Sequence, residues 1–176
     1  MKLLSAAPIA LSLALLLAMP TAPLSAQERP SFADSSAATQ TVGQAYFDAY
    51  IARDWDTLEP LLADNGTFLD GTAELVFGGA LADGKPAMMT LFREGYEGIT
   101  HMSLRPLRSI HAGHYSIFEG ELDWGLMLSA DREVASVMPF ITILRIENGQ
   151  VVEHRDYADY APFIAAARAS REANAE

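Results

Sequence analysis

Between Thr100 and Ala158 the chain is almost continuous β-forming sequence broken only by short turns, so its fold must contain a sheet of long consecutive strands. The runs Thr100 to Ile110, Tyr115 to Met127, Val134 to Ile146 and Gln150 to Ala158 are separated by Ala112-Gly113-His114, Ala130-Asp131 and Asn148-Gly149. An Asn-Gly step between β-rich runs supplies two residues that tolerate positive φ, which makes it a strong hairpin signal. Pro139 lies inside the third run and predicts an edge position or a bulge there.

The segments ahead of these strands have helical spacing. Val42, Tyr46, Ala49 and Tyr50 form an apolar stripe from about Gln40 onward, and it carries two tyrosines. Trp55, Leu58, Leu61 and Leu62 make a second stripe that Asp54 or Asp56 can cap. Asp64-Asn65-Gly66 breaks that helix, and Thr67 to Asp70 reads as a short strand. Gly71, Gly78, Gly79 and Gly84 surround Leu75-Val76-Phe77, a pattern that predicts a loop with a short strand or flap. Lys85-Pro86 opens a third helix with Met88, Met89, Leu91, Phe92 and Tyr96 on its apolar side. An Ala-rich tail after Pro162 is also helical in pattern. Helices first and a meander afterwards is the α+β arrangement, with helices packed on one face of a curved, antiparallel or mixed sheet.

The amino terminus reads as an export signal. Lys2 precedes an apolar run from Leu3 to Met19, and Ala22-Pro23-Leu24-Ser25-Ala26 offers a small-residue cleavage site. The expected organisation is therefore a signal peptide over 1–26, a flexible lead-in over 27–39, one domain over 40–165 and a tail over 166–176. The implied location is secreted or periplasmic, with no membrane association after cleavage. With no cysteine, neither disulfides nor thiol chemistry is available. The net charge of −11, which becomes −12 once Lys2 departs, argues against nucleic acid as a partner.

Two strand faces carry ionisable groups. After the Asn-Gly turn, alternation puts Val152, His154, Asp156 and Ala158 on one face and Glu153, Arg155 and Tyr157 on the other. In Phe118 to Trp124, the residues Phe118, Leu122 and Trp124 oppose Glu119, Glu121 and Asp123. Periodicity does not orient either pair of faces. In a sheet with one wet side the acidic face points to water and the aromatic face is core.

The order of segments and the terminal sequence Arg145-Ile146-Glu147-Asn148-Gly149-Gln150-Val151-Val152-Glu153-His154-Arg155-Asp156-Tyr157 resemble the SnoaL-like branch of the nuclear transport factor 2-like superfamily. The resemblance spans roughly Gln40 to Phe163. It implies a cone of helices against a strongly bent sheet, a metal-free and cofactor-free cavity for a small molecule, and a homodimer through the outer sheet face. On that pairing Phe118, Leu122, Trp124, Val151 and Tyr157 would lie at the contact between subunits.

The same resemblance implies a site. Tyr46 and Asp70 stand at positions similar to the helix tyrosine and the base of ketosteroid isomerase, with Thr142 where that enzyme has a carboxylic acid. Asp123 and Asp156 stand at positions similar to the two aspartates of limonene epoxide hydrolase, with Glu121 where its arginine lies. The implied catalytic set is Tyr46, Asp70, Asp123, His154 and Asp156, with Phe68, Glu121, Phe140 and Thr142 contacting substrate. In this reading His154 is the general base, oriented by Asp156, and Tyr46 donates to a substrate oxygen. The implied activity is acid-base chemistry on a small, largely apolar molecule, as a lyase, dehydratase or isomerase. The alternatives are an epoxide hydrolase and a non-catalytic binding or dimerisation module.

Overall fold

A computed structural model describes residues 30–173, so the expected signal peptide and the last three residues lie outside the described part. The first helix, α1 (Phe32–Ala52), begins earlier than the expected start near Gln40. Ser31 and Asp34 form a reciprocal capping box that satisfies the free N–H groups of its first turn. Within the segment read as a lead-in, the helix is also tied to the Ala112-Gly113-His114 turn: Thr39 Oγ1 donates to the Gly113 carbonyl and Gly113 N donates to Ser36 Oγ. A short helix α2 (Trp55–Leu58), capped by Asp54, and a 3-10 turn over Glu59–Leu61 lead into β1 (Leu62–Asp70). The glycine-rich segment resolves into α3 (Glu74–Phe77) and β2 (Ala80–Asp83). Helix α4 (Lys85–Thr90) opens with proline as expected and widens into a π-helical turn over Leu91–Gly95. Then come β3 (Ile99–Ala112), β4 (Tyr115–Ser129), β5 (Arg132–Glu147), β6 (Gln150–Ala158) and α5 (Ala161–Ala173).

The six strands pair in the order β2-β1-β6-β5-β4-β3, forming an open sheet. Consecutive strands from β3 to β6 are antiparallel, whereas β1 runs parallel to β6, so the sheet is mixed. The hairpin at Asn148-Gly149 has φ of 51° and 77°, the positive pair that a two-residue turn of matching twist requires. Pro139 sits in an interior strand, but β6 ends opposite Phe140. The Pro139 carbonyl accepts from Asp159 N, so its nitrogen faces past the end of β6, where no ladder donor is missing.

Register determines which side chains face the helices. Asp70, Asp156, Thr142 and Phe118 form one cross-strand row, and Phe68, His154, Leu144 and Ser116 form the next. All eight are buried. Side chains alternate along a strand, so the in-phase residues Leu122, Trp124, Met138 and Phe140 also point inward. Helix α1 closes on this face: Phe47 stacks on Phe118 at 4.1 Å, and Gly43 lets the helix approach so closely that an added Cβ would lie 2.2 Å from Ser116 Oγ.

The same phase corrects the expected subunit contact. Phe118, Leu122, Trp124 and Val151 are core residues, and of the five only Tyr157 faces out. The outer face instead presents Leu69, Val137 and Ile141 beside Tyr157.

Candidate active site

A cavity of about 260 Å³ lies between the concave sheet face, α1 and the segment from α3 to the π-helical turn. Its walls are mostly apolar and aromatic, among them Phe68, Trp124, Met138 and Phe140. Its polar groups are Asp70, Asp156, Tyr50, Tyr96 and Tyr160.

Asp156 comes from the inward face of β6 and is 2% exposed. Its Oδ1 accepts from Thr142 Oγ1 at 2.6 Å and from His154 Nε2 at 2.9 Å. Its Oδ2 accepts from the Tyr50 hydroxyl at 2.6 Å. A carboxylate offers about four acceptor positions, so one on Oδ2 is left for a ligand. Tyr50 OH also lies 2.6 Å from Tyr96 OH. Since Tyr50 donates to Asp156, Tyr96 donates to Tyr50.

His154 is fully buried behind this group and is not in the cavity wall. The rings of Tyr46, Tyr50 and Phe68 surround it at centroid distances of 5.5, 4.6 and 4.8 Å. Nδ1 lies 3.0 Å from the Tyr46 hydroxyl. With the proton on Nε2, His154 donates to Asp156 and accepts from Tyr46, so an uncharged ring satisfies both contacts. His154 thus buttresses Asp156, and Tyr46 buttresses His154. Neither lines the cavity, so the structure does not place them where a general base or a substrate donor would touch a ligand; the polar side chains that do face the cavity are Asp70, Asp156, Tyr50, Tyr96 and Tyr160.

Asp70 ends β1, and its Oδ1 takes three donors: Thr72 N at 2.8 Å, Thr72 Oγ1 at 2.8 Å and Ala73 N at 2.9 Å. Its Oδ2 accepts from Tyr160 OH at 2.6 Å. Asp70 therefore caps the turn into α3 and also faces the cavity. Both carboxylates have the same arrangement, with one oxygen held by structural donors and the other sharing a tyrosine with the cavity.

Asp123 and Glu121 are not brought to this site. Asp123 pairs opposite Val137 and Glu121 opposite Pro139, out of phase with the buried row, so both project from the outer face. There Asp123 Oδ1 lies 3.1 Å from His101 Nε2, and Glu121 pairs with Arg105. The wet-face reading of their alternation holds, and the inward placement implied by the resemblance does not. Tyr50, Tyr96 and Tyr160 are the site residues that sequence reasoning missed. Tyr50 carried a signal on the α1 stripe, and Tyr160 lies in phase with Asp156 and Ala158. Tyr96 carried none beyond its helix, because the π-helical turn sets its direction.

Burial raises the pKa of all four tyrosines above the ordinary value. Negative charge on Asp156 adds to this for Tyr46, Tyr50 and Tyr96, and Asp70 does so for Tyr160. These hydroxyls are donors, not bases, at any physiological pH. Because the folded values are raised, the stability the tyrosines contribute is fully present below the unfolded value of about 10 and is lost as pH rises through the folded values. The expected result is a cooperative alkaline unfolding above pH of about 10, in which the tyrosinate absorbance of these four residues, as distinct from that of exposed Tyr115 and Tyr157, appears in one step with the loss of ellipticity. Tyrosinate absorbance that reached completion before any loss of ellipticity would contradict it.

Among the described residues, no group of three or more His, Asp or Glu side chains is placed to hold a metal ion.

Helices packed into the concave face of an open mixed sheet, around a cavity with a polar floor, define the nuclear transport factor 2-like class. The chain belongs to the SnoaL-like domain family, whose model matches residues 44–154, more than half of the sequence. Solved structures share the fold. A candidate SnoaL-like polyketide cyclase from Shewanella putrefaciens is 19% identical, with a TM-score of 0.65 over 74% of this chain and 96% of its own. An LEH-like epoxide hydrolase from M. tuberculosis is 16% identical, with a TM-score of 0.58 over 79% and 96%. A protein of ketosteroid isomerase-like fold from Catenulispora acidiphila, solved in complex with trimethylamine, is 19% identical, with a TM-score of 0.57 over 71% and 90%. No curated protein matches the chain in sequence. At these identities the likeness establishes architecture, and the chemistry must be argued from the site.

Proposed function

We propose that the protein is a cofactor-independent enzyme that moves a proton within a small, largely apolar molecule, as an isomerase or a lyase that loses water. The observation that carries this reading is the hydrogen-bonded series Asp156, Tyr50, Tyr96, with 2.6 Å between each adjacent pair and both ends in the cavity wall. Asp156 takes a proton from a substrate carbon next to an electron-withdrawing group. Once Asp156 is protonated it no longer accepts from Tyr50, and the Tyr50 and Tyr96 hydroxyls rotate to point away from it. Asp156 then donates to Tyr50, Tyr50 passes its own proton to Tyr96, and Tyr96 delivers its proton to the substrate oxygen, which restores the original orientation. Each hydroxyl gives one proton and gains one, so the enzyme returns to its starting state. The product is an enol, or, where the oxygen belongs to a leaving hydroxyl, an alkene and water.

His154 and Thr142 act by positioning, since they hold Oδ1 and leave Oδ2 to the reaction. The Catenulispora protein of this fold was solved in complex with trimethylamine, which supports a small-molecule ligand for such a fold. An epoxide hydrolase reading is less well supported, because among the described residues no arginine lines the cavity to join two carboxylates. The test is to offer enones, hydroxylated aromatic compounds and epoxides to the wild type and to Asp156→Asn, with product analysis by mass. Conversion of any of these at equal rates by both proteins would sink the assignment.

Export and dimerisation belong to the same proposal. The apolar run from Leu3 to Met19 supports export, and exposed Leu69, Val137, Ile141 and Tyr157 support pairing through the outer sheet face. Protein recovered from its producing cells is expected to have the mass of a chain cut after Ala26 and to sediment as a dimer. An uncut chain would refute export, and a stable monomer at micromolar concentration would refute the pairing.

A further inference from the structure

The cavity has a charge pattern that the proton-transfer reading does not use. Among the described residues lining it, the only ionisable groups apart from tyrosines are Asp70 and Asp156, and no Lys, Arg or His lies in the wall. Every hydrogen-bond donor to these carboxylates belongs to a group that is neutral, or that needs no charge to make the contact. An anion entering this space would lose its hydration and meet two acidic side chains with no cationic side chain among the described residues of the wall.

At one end the wall is an aromatic corner. Phe77, Trp124 and Tyr160 all line the cavity, with ring centroids 5.7 to 6.4 Å apart and planes inclined at 71° to 84° to one another. Phe163 braces the corner from behind at 4.9 Å from Trp124. The hydroxyl of Tyr160, one of the three walls, donates to Asp70 Oδ2. Three mutually inclined rings with an acidic side chain in the same wall, at the hydroxyl edge of one of them, suit an ammonium group, which is drawn to ring faces and to negative charge together.

We propose that the cavity selects a small organic cation, an ammonium group carried on an apolar body, with the cationic end in the corner of Phe77, Trp124 and Tyr160. The apolar body then extends toward Met138 and Phe140, beside Asp156. This rests on the reading that the cavity is the working site, and it narrows the substrate class from any small apolar molecule to amines.

Three probes on a shared benzyl body test it by calorimetry on the purified protein: benzyltrimethylammonium, its uncharged isostere neopentylbenzene, and the anion phenylacetate. The cation is expected to bind at least about tenfold more tightly than the isostere, with phenylacetate not binding. Trp124→Leu, which keeps an apolar wall, is expected to bring the cation down to the level of the isostere. Asp70→Asn should weaken the cation alone, with thermal melting followed to confirm that α3 remains folded.

Equal affinity for cation and isostere, or a preference for the anion, would overturn the cation assignment and leave the cavity reading standing. A preference for the cation that survives Trp124→Leu would overturn the corner as its seat. Failure of all three probes to bind would overturn this proposal and the cavity as a ligand site together. The catalytic reading is tested separately by turnover in Asp156→Asn.

Discussion

Asp156→Asn is expected to lower turnover about 10³-fold on any substrate the protein converts, with little change in its circular dichroism. The amide has the shape of the carboxylate but cannot take a proton from carbon, and it brings donors of its own. Its NH2 group must face either the pair Thr142 and His154 or Tyr50, all of which already donate to this position. Tyr50→Phe tests the same hydrogen-bonded series from its middle. It leaves the carboxylate in place but separates it from Tyr96, so turnover should fall about 10²-fold while the apolar walls still hold the substrate. Turnover within a factor of two of wild type in both variants would show that the series is structural only.

His154→Ala is expected to cost the fold about 3 to 5 kcal/mol, read from denaturant midpoints at constant m-value. The ring is fully buried among aromatic side chains, so its removal leaves a void. It also leaves the Tyr46 hydroxyl without a partner and Asp156 Oδ1 with Thr142 as its one remaining donor. Tyr46→Phe removes only the outermost member of the arrangement and should cost about 1 to 2 kcal/mol. If His154→Ala cost less than about 1 kcal/mol, the site would have to be open enough for water to replace the ring.

Much of the architecture was legible because it depends on local rules. The four strand runs, the Asn148-Gly149 turn and the helix opened by Pro86 follow from side-chain period, positive-φ tolerance and the missing N–H of proline. The start of α1 was misplaced because the Ser31–Asp34 box lies in a Ser- and Ala-rich stretch whose composition alone favours a loop. The glycine-rich segment was legible only as a loop with a short strand, which is β2; the single turn α3 has no side-chain cap of its own, and its Phe77 packs on Trp124, Tyr160 and Phe163, contacts that no local pattern specifies.

The site was legible in part, for a related reason. Period alone showed that His154 shares a face with Asp156 and that Asp123 shares one with Glu121. It did not show which of the two faces meets the helices.

Taken alone, then, the sequence determined the elements, their order, the face each side chain shares with its neighbours, and a family whose fold is a cone around a cavity. Tertiary structure decided which faces point inward, because the register of β4 on β5 and of β5 on β6 places Phe118, Thr142 and Asp156 in one row and leaves Glu121 and Asp123 outside it. It also decided the order of the polar groups. Tyr50 and Asp156 are 106 residues apart in sequence, and whether Asp156 or His154 faces the cavity depends on how α1 and the π-helical turn close over β6. Side-chain alternation is local and written in the residues. The meeting of distant side chains depends on strand register and helix docking, which no local pattern specifies.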